Sequence, residues 1–446
     1  MADSNTSVSF FSDVLAEARK AGGQAEVYGA STQEMPVRFE ANRLKEVQGR
    51  SSSVVALRII KDGKIGLALS SGVTDPRAVV RMALETAPFG PEAKFEFPGR
   101  LSFPDVPVFD PEVESIAPEA MADLGQKLID SVRRHTPELM CEGVVSRSVS
   151  EVHILNSQGG EAHYKKSMFT VGVEGTLVRG EDMLFVGEFE TSCRPARNTD
   201  NIERTTLWQL DMARNRAKVD TKTIPVIFTP NAVASTLVSS LAVGFNGRTV
   251  FEGASPLKGK TGEKLLDSKL SLHDDATEPF LPGSRPCDDE GVPSQRTTLI
   301  EHGEIGVFFY DLQTAGLAGV RSTGSADRSR GAMPGPGPSC LVFGEGTVSF
   351  DEMLAGLDEG LVIEHLMGAE QGNILGGDFS GNVLLGFKVE KGQVVGRAKD
   401  VMVSGNVYQA LKNIVAMGRK SKLVHGMVKT PHIWLQGLSV ASKARV

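Results

Sequence analysis

The sequence predicts an α+β protein, with a duplicated helix and antiparallel-sheet N-terminal domain followed by a β-rich C-terminal domain. Three observations favour this class. Apolar residues recur at helical spacing in a few segments of the first half, and these segments flank runs of alternating apolar and polar residues. The second half contains mostly short alternating runs separated by turn residues. The chain has 48 glycines but only 6% aromatic residues, which favours tight turns and many short strands.

The first copy of the N-terminal repeat spans residues 8–87. A helix is predicted from Phe10 to Ala21 and a second from Asp75 to Thr86, with Asp75 as the N-cap and Pro76 at the first helical position. Asp62-Gly63 predicts a tight hairpin. The four predicted strands are Gln24–Tyr28, Met35–Ala41, Ser53–Ile60 and Ile65–Ser70.

The second copy spans residues 117–216 and follows a Pro-rich linker at 98–111. Its helices are predicted from Pro118 to His135 and from about Asn201 to Arg216. The strands predicted between them are Met140–Arg147, Glu151–Asn156, Glu161–Lys166, Met168–Leu177 and Leu184–Thr191. The N-terminal domain is therefore expected over 1–218 and the C-terminal domain over 219–446.

The C-terminal domain begins with a buried-looking strand, Ile224–Thr229, and a helix of small residues, Ala232–Ala242. Two hairpins are predicted, one from 297–301 to 304–310 around His302-Gly303 and one from 384–390 to 393–398 around Lys391-Gly392. The segment 334–338, PGPGP, is predicted to be a rigid exposed loop, because proline supports neither a helix interior nor a central strand.

Charge and composition indicate a cytoplasmic protein that binds neither nucleic acid nor membrane. The net charge is −7, from 48 basic and 55 acidic residues, so the chain repels a polyanion at long range. The most basic segments, Arg328 with Arg330 and the run 419–422, are interpreted as solvated surface. The N-terminus has no signal-peptide pattern, and no stretch approaches the roughly 18 apolar residues of a membrane span.

The residues typical of hydrolytic sites are scattered along the sequence. The closest histidines, His425 and His432, are 7 residues apart, and no histidine is followed by glutamate. A zinc site at recognisable local spacing is therefore not predicted. The alternative is a site assembled by the fold from 273–275 (His-Asp-Asp), 364–365 (Glu-His) and Cys287. We interpret Cys287 as inert, because the acidic residues 288–290 raise the pKa of a neighbouring thiol.

Several segments of the second half resemble the C-terminal signature of the TldD/PmbA family. They are 288–296 (DDEGVPSQR), 319–324 (GVRSTG), 376–381 (GGDFSG), the strand–proline–helix start at 224–230 and the turn 403–406 (VSGN). The resemblance implies a proteolytic system of two related chains, which handles small peptides and unfolded chains and has carried the label "modulator of DNA gyrase". One chain carries a His-Glu-x-x-x-His zinc helix, and the other, the PmbA or TldE type, lacks it.

The resemblance places this sequence with the PmbA/TldE type. The helix after the first C-terminal strand, at 231–247, contains neither His nor Glu. No catalytic residue, metal ligand or cofactor is therefore expected in this chain, and zinc is expected in a TldD-like partner subunit. A homodimer is the alternative assembly.

The signature segments supply candidate residues that bind a peptide or hold turns: Asp288, Asp289, Glu290, Arg296, Arg321, Gly376, Gly377 and Asp378. The arginines suit a peptide carboxylate, and the aspartates suit either an amine or the backbone of a turn. Two other functions remain open: an independent metallopeptidase with atypical ligands, and a regulatory protein acting on the gyrase or antitoxin system.

Overall fold

The computed structural model describes residues 4–71, 75–328 and 333–442. The N-terminal half contains helices α1 (Ser4–Lys20), α2 (Pro76–Thr86), α3 (Pro111–Ser115), α4 (Pro118–His135) and α5 (Asp200–Met212), with a 3₁₀ turn at Ala87–Phe89. Its strands are β1 (Gln24–Glu40), β2 (Arg43–Val47), β3 (Arg50–Lys61), β4 (Lys64–Ser70), β5 (Met140–Asn156), β6 (Glu161–Arg179) and β7 (Asp182–Ser192).

The remaining helices are α6 (Pro230–Ala232), a π-helical turn (Val233–Leu237), α7 (Val238–Gly244), α8 (Gly247–Phe251), α9 (Leu312–Ala318), α10 (Phe350–Ala355), a 3₁₀ turn (Ala369–Gln371) and α11 (Val407–Ala410). The remaining strands are β8 (Arg216–Ala217), β9 (Lys222–Phe228), β10 (Leu272–Asp275), β11 (Arg296–Glu301), β12 (Glu304–Ile305), β13 (Ala326–Asp327), β14 (Gly335–Pro336), β15 (Leu341–Phe343), β16 (Glu359–Met367), β17 (Asp378–Glu390), β18 (Gln393–Ala398), β19 (Val401–Asn406), β20 (Ile414–Met417), β21 (Lys422–Val424), β22 (Val428–Thr430) and β23 (Ile433–Ser442). The predicted α+β class is confirmed.

The N-terminal strands form one antiparallel seven-stranded sheet in the order β4-β3-β1-β5-β6-β7, with β2 paired to β1. The long pairing of β1 with β5 joins the two predicted copies into this single sheet. Each half of the sheet runs helix, strands, helix along the chain, which is the order that the predicted repeat has. The exact repeat and domain boundaries stay a prediction.

Three strands are longer than predicted. β1, β5 and β6 each run without a break through a polar stretch that the sequence pattern divided into two strands. In each case the polar residues belong to one continuous strand. Thr32 and Ser150, for example, face each other across β1 and β5 and share a hydrogen bond of 2.9 Å between their hydroxyls. Residue 216, predicted as the end of a helix, instead belongs to β8, and α5 ends at Met212.

The predicted tight turns are confirmed by their backbone angles. The pairs Asp62-Gly63, His302-Gly303 and Lys391-Gly392 all have positive φ at both residues, as hairpins of this kind require. The strand after His302-Gly303 is shorter than predicted, because β12 ends at Ile305. Asp75 caps α2, and its side chain accepts a hydrogen bond from the amide of Arg77.

The C-terminal half contains an eight-stranded sheet, β16-β9-β23-β19-β17-β18-β8 with β20 on β23, and a six-stranded sheet, β12-β11-β10-β15-β22-β21. The prediction of an exposed loop at 334–338 is wrong. Gly335–Pro336 forms β14 against β13, and both Pro334 and Pro336 are buried. Proline is tolerated there because this two-stranded ribbon has no central strand.

An apolar core joins the two halves. Met121 and Leu128 of α4 pack in one cluster with Val362 of β16 and with Leu385 and Phe387 of β17. This shared core fixes β5–β7 against the eight-stranded sheet, and a cleft opens where the two sheets meet. Among the described residues, no helix is both long and apolar enough to cross a lipid bilayer.

Candidate functional site

The cleft between the two sheets has a volume of about 490 Å³. Its N-terminal wall consists of Glu142 of β5, Glu174–Thr176 of β6, Phe185–Phe189 of β7 and Gln209 of α5. Its C-terminal wall consists of Asn231 of α6, Glu364 and His365 of β16, Leu384 and Leu385 of β17, and Val424 and His425. Carboxylates, imidazoles and apolar side chains therefore line one space of the size that ligand-binding clefts have.

An edge strand runs along this cleft. Five consecutive residues of β7, from Phe185 to Phe189, line it, and β7 is the last strand of its sheet. Residues from both faces of a strand border one cavity when the edge of that strand faces it. At Gly187 this edge is already paired, because the Gln209 side chain accepts from the Gly187 amide at 2.8 Å and donates to its carbonyl at 3.3 Å.

A polar cluster holds the base of the cleft together. Lys422 donates to the Glu188 carboxylate and, at 3.4 Å, to the amide oxygen of Asn231. The Asn231 amide in turn donates to Glu188 at 3.4 Å. Glu188 and Glu364 are both buried, with 5% and 7% of their surfaces exposed. One lysine charge thus balances Glu188, while Glu364 lies close to the same group of charges.

Burial shifts the pKa values of Glu364 and His365 in the directions that favour their neutral forms. Burial raises the pKa of Glu364 to about 7; the charge of Lys422 opposes this rise and that of Glu188 adds to it. Burial, together with the nearby His425, lowers the pKa of His365. A carboxyl group that titrates near neutrality is able to donate or accept a proton, and such groups are common in functional clefts.

The helix that begins at this cleft carries no metal ligand. Pro230 starts it, and Asn231 is its only residue that lines the cavity. The segment 230–244 reads PNAVASTLVSSLAVG, without His, Glu, Asp or Cys. Residues 233–237 form a π-helical turn, a rare feature that occurs often at functional sites. A zinc ion bound by this helix does not fit the residues that are present.

The predicted candidates Asp288, Asp289 and Glu290 lie outside the cleft, in a buried loop that docks on the N-terminal sheet. Both Glu290 and Glu26 of β1 form ion pairs with Arg58 of β3, at 2.5 and 3.1 Å, and the side chains of all three residues are fully buried. Arg58 also lies over the ring of Phe95 at 4.5 Å.

The two aspartates of this loop hold its backbone. Asp288 accepts hydrogen bonds from the amides of Glu290, Val292 and Ala326. Asp289 pairs with Arg285 at 2.9 Å and accepts from the amide of Arg328. The interpretation of Arg328 as solvated surface is wrong. Arg328 is buried and forms an ion pair with Glu26, because the folded loop carries it against β1. Arg330 lies outside the described residues.

The other predicted candidates are dispersed. Arg296 and Arg321 are exposed on separate segments. Gly376, Gly377 and Asp378 form the turn into β17, where the Asn406 amide donates to the Gly376 carbonyl at 2.7 Å and to Asp378 at 2.8 Å. Gly377 has φ +86°, and a Cβ there would meet the Tyr408 ring at 2.5 Å. This turn therefore contacts the end of β19 and α11, and none of these residues lines the cleft.

The scattered metal-ligand set is not brought together. Glu364 and His365 line the cleft, whereas Asp274 of β10 accepts hydrogen bonds from the amides of Ser339 and Cys340. Cys287 packs in an apolar cluster with β5 and β6. Burial, with a contribution from Asp288, raises the pKa of Cys287 to about 12, which agrees with the predicted inertness of this thiol.

The sequence analysis missed one group of ligand-type residues. Glu151, His153 and His163 place one carboxylate oxygen and two ring nitrogens within 4.8 Å of one another, and no other group of three meets this distance in the part of the chain that the structure describes. The signal was the repeated pattern Glu-x-His at 151–153 and 161–163, on either side of a glycine turn. A hairpin across that turn brings the two histidines opposite each other.

Two family models match this chain. The model for the PmbA/TldA metallopeptidase C-terminal domain matches residues 221–442, and the model for PmbA/TldA metallopeptidase domain 1 matches residues 25–87. The chain belongs to the PmbA/TldD metallopeptidase family. The predicted family membership is thereby confirmed, and the matches include the helix at 230–244 and the buried loop at 288–290.

Individual family members are similar to this chain over different lengths. "Metalloprotease PmbA" of Escherichia coli O157:H7 is 25% identical over 93% of this chain and 92% of its own length. "Metalloprotease TldD homolog" of Haemophilus influenzae is 28% identical, but over only 46% of this chain and 42% of its own length. The crystal structure of TldE from Thermococcus kodakarensis superposes with a TM-score of 0.88 at 25% identity, over 97% of this chain and all of that one.

Proposed function

We propose that this chain is the PmbA/TldE-type subunit of a two-chain metallopeptidase, and that it contributes a peptide-binding cleft while a zinc-bearing TldD-like homologue supplies the metal. The observation that carries the proposal is the helix at 230–244, which starts at the cleft and has no side chain able to hold zinc. The similarity to a PmbA protein and to a TldE structure over most of both chains supports the same assignment.

The cleft suits an extended peptide. Side chains rather than the edge of β7 supply most of its contacts, because Gln209 already pairs with the amide and carbonyl of Gly187 and the Glu188 carboxylate accepts from the Phe189 amide. Phe185 and Leu384 provide apolar surface for peptide side chains. Glu142 and Glu174 add carboxylates that favour a basic side chain or a peptide amine.

Activity assays of the separate and mixed chains test the proposal. The purified chain alone is expected to show no peptidase activity on an unfolded protein substrate. The mixture with its zinc-bearing homologue is expected to be active and to elute as one complex in size-exclusion chromatography. Metal-dependent hydrolysis by this chain alone would contradict the proposal and would favour an independent metallopeptidase.

Two matched variants of β7 test the role of the cleft. Phe185 lines it with 38% of its surface exposed, whereas Met183 lies on the same strand, 52% exposed, and does not line it. Phe185→Lys is expected to slow hydrolysis by the mixed assembly, and Met183→Lys is expected to leave it unchanged. Equal effects of the two substitutions would rule out the cleft as the peptide site.

A further inference from the structure

A histidine pair lies on the face of the N-terminal sheet that α1 covers. His153 of β5 is directly opposite His163 of β6, and their rings stack at 4.0 Å with an interplanar angle of 13°. Cross-strand neighbours of this kind have side chains that lie side by side. The ring of Phe11 of α1 lies 5.8 Å from His153 and covers one side of the pair. The side chain of His153 is 12% exposed and that of His163 is 48% exposed.

Glu151 completes this group from the same strand as His153. Residues two apart on a strand share one face, so the Glu151 carboxylate reaches both imidazoles. Its Oε1 atom lies 2.8 Å from Nε2 of His163 and 3.4 Å from Nε2 of His153. Without an ion, the 2.8 Å contact is a hydrogen bond. Zinc bonds of about 2.0–2.2 Å place neighbouring tetrahedral ligands roughly 3.3 Å apart, so the atoms are near the required spacing, and the stacked rings have to turn for both nitrogens to point at one ion.

We propose that Glu151, His153 and His163 bind one divalent transition-metal ion of the zinc class. Two imidazole nitrogens and one carboxylate oxygen are a donor set typical of zinc and related ions, with a remaining position for water or a further ligand. None of the three residues lines the cleft, so this site is distinct from the peptide-binding site proposed above.

The neighbouring charges are compatible with a bound cation. Glu161 lies two residues before His163 on the same face of β6 and adds a second carboxylate beside the pair. Lys165 is opposite Glu151 and its charge acts on that carboxylate, but the two carboxylates outnumber this one lysine.

The three ligands link β5 to β6 just before the hairpin turn and lie against α1. An ion bound there would link the two strands of the hairpin through its three ligands. Because binding requires the folded hairpin, zinc is also expected to stabilise the protein against unfolding.

Calorimetry on the full-length chain, stripped of metal with a chelator, tests this site with zinc chloride. One zinc ion per chain is expected. His163→Ala and Glu151→Gln are each expected to weaken binding by more than the roughly 10–100-fold that loss of an outer-shell partner costs. His135→Ala is the control, because His135 pairs with a single carboxylate, Asp211, and is expected to bind zinc as the wild type does.

Thermal melts with and without zinc provide a second readout. Zinc is expected to raise the melting temperature of the wild type and of His135→Ala, and to leave that of His163→Ala unchanged. Failure of the wild type to bind one equivalent, or unchanged affinity in both ligand variants, would refute the site. These outcomes do not depend on peptidase activity, so they leave the proposed function to its own assay.

Discussion

Substituting Glu364 by glutamine gives the sharpest test of the electrostatics of the cleft. Glu364 is buried beside Glu188 and Lys422, and burial raises its pKa from 4.5 to about 7. The folded protein therefore binds more protons at this group than the unfolded chain does between these two pH values. Its contribution to the free energy of unfolding falls as the pH rises through this range. Glutamine has nearly the same shape and no proton to lose.

The size of the effect follows from the pKa shift. A rise from 4.5 to about 7, at about 1.36 kcal/mol per unit, corresponds to about 3 kcal/mol once the carboxylate is fully ionised. The advantage of Glu364→Gln over the wild type is therefore expected to grow by about 2 kcal/mol between about pH 5 and about pH 8. The lysine remains paired with Glu188 in both proteins.

Urea unfolding curves at several pH values, followed by circular dichroism, measure this difference. Glu263→Gln is the control, because Glu263 is exposed and pairs only with Lys260 at the surface; no such growth is expected for it. A difference between Glu364→Gln and the wild type that stays constant, or shrinks towards alkaline pH, would show that Glu364 is charged in the folded protein throughout this range. The interpretation that the folded protein keeps Glu364 protonated up to about pH 7 would then be wrong.

Three further predictions concern stability and reactivity. Arg58→Met leaves the buried carboxylates of Glu26 and Glu290 without this partner and is expected to cost about 3–5 kcal/mol in urea unfolding. Adding Glu290→Gln is expected to recover part of that loss, and no recovery would contradict the ion-pair account. Gly66→Ala places a Cβ 2.0 Å from the Ala83 carbonyl oxygen of α2 and is expected to destabilise the protein by about 1–3 kcal/mol. Its control is Gly335→Ala, whose Cβ meets no atom of the described residues within 4 Å and which is expected to change stability by less than about 0.5 kcal/mol. All four cysteines are buried free thiols, so a thiol reagent is expected to label none of them in the native protein and all of them in urea; fast labelling of the native protein would disprove this.

The sequence by itself determined the fold class, the tight turns and the family. Asp62-Gly63 and Lys391-Gly392 form hairpins because few residues other than Gly, Asn and Asp accept positive φ readily, so local chemistry is sufficient to predict them. The acidic neighbours of Cys287 are adjacent in sequence and contribute to its raised pKa, but the main cause of the rise is burial, which the fold decides. The sequence alone likewise shows that the helix at 230–244 has no metal-binding side chain.

Tertiary structure decided which distant residues meet. Glu26, Arg58 and Glu290 form one buried network although they lie far apart in the chain, and no local pattern marks a charge as buried. The same holds for the cleft, where Glu188 and Lys422 come from opposite halves of the chain. The register of β5 on β6 aligns His153 with His163, and a shift of one residue would place them on opposite faces. Strand register and burial depend on contacts between segments that are distant in the chain. The sequence pattern describes each segment separately, so it does not predict this long-range pairing.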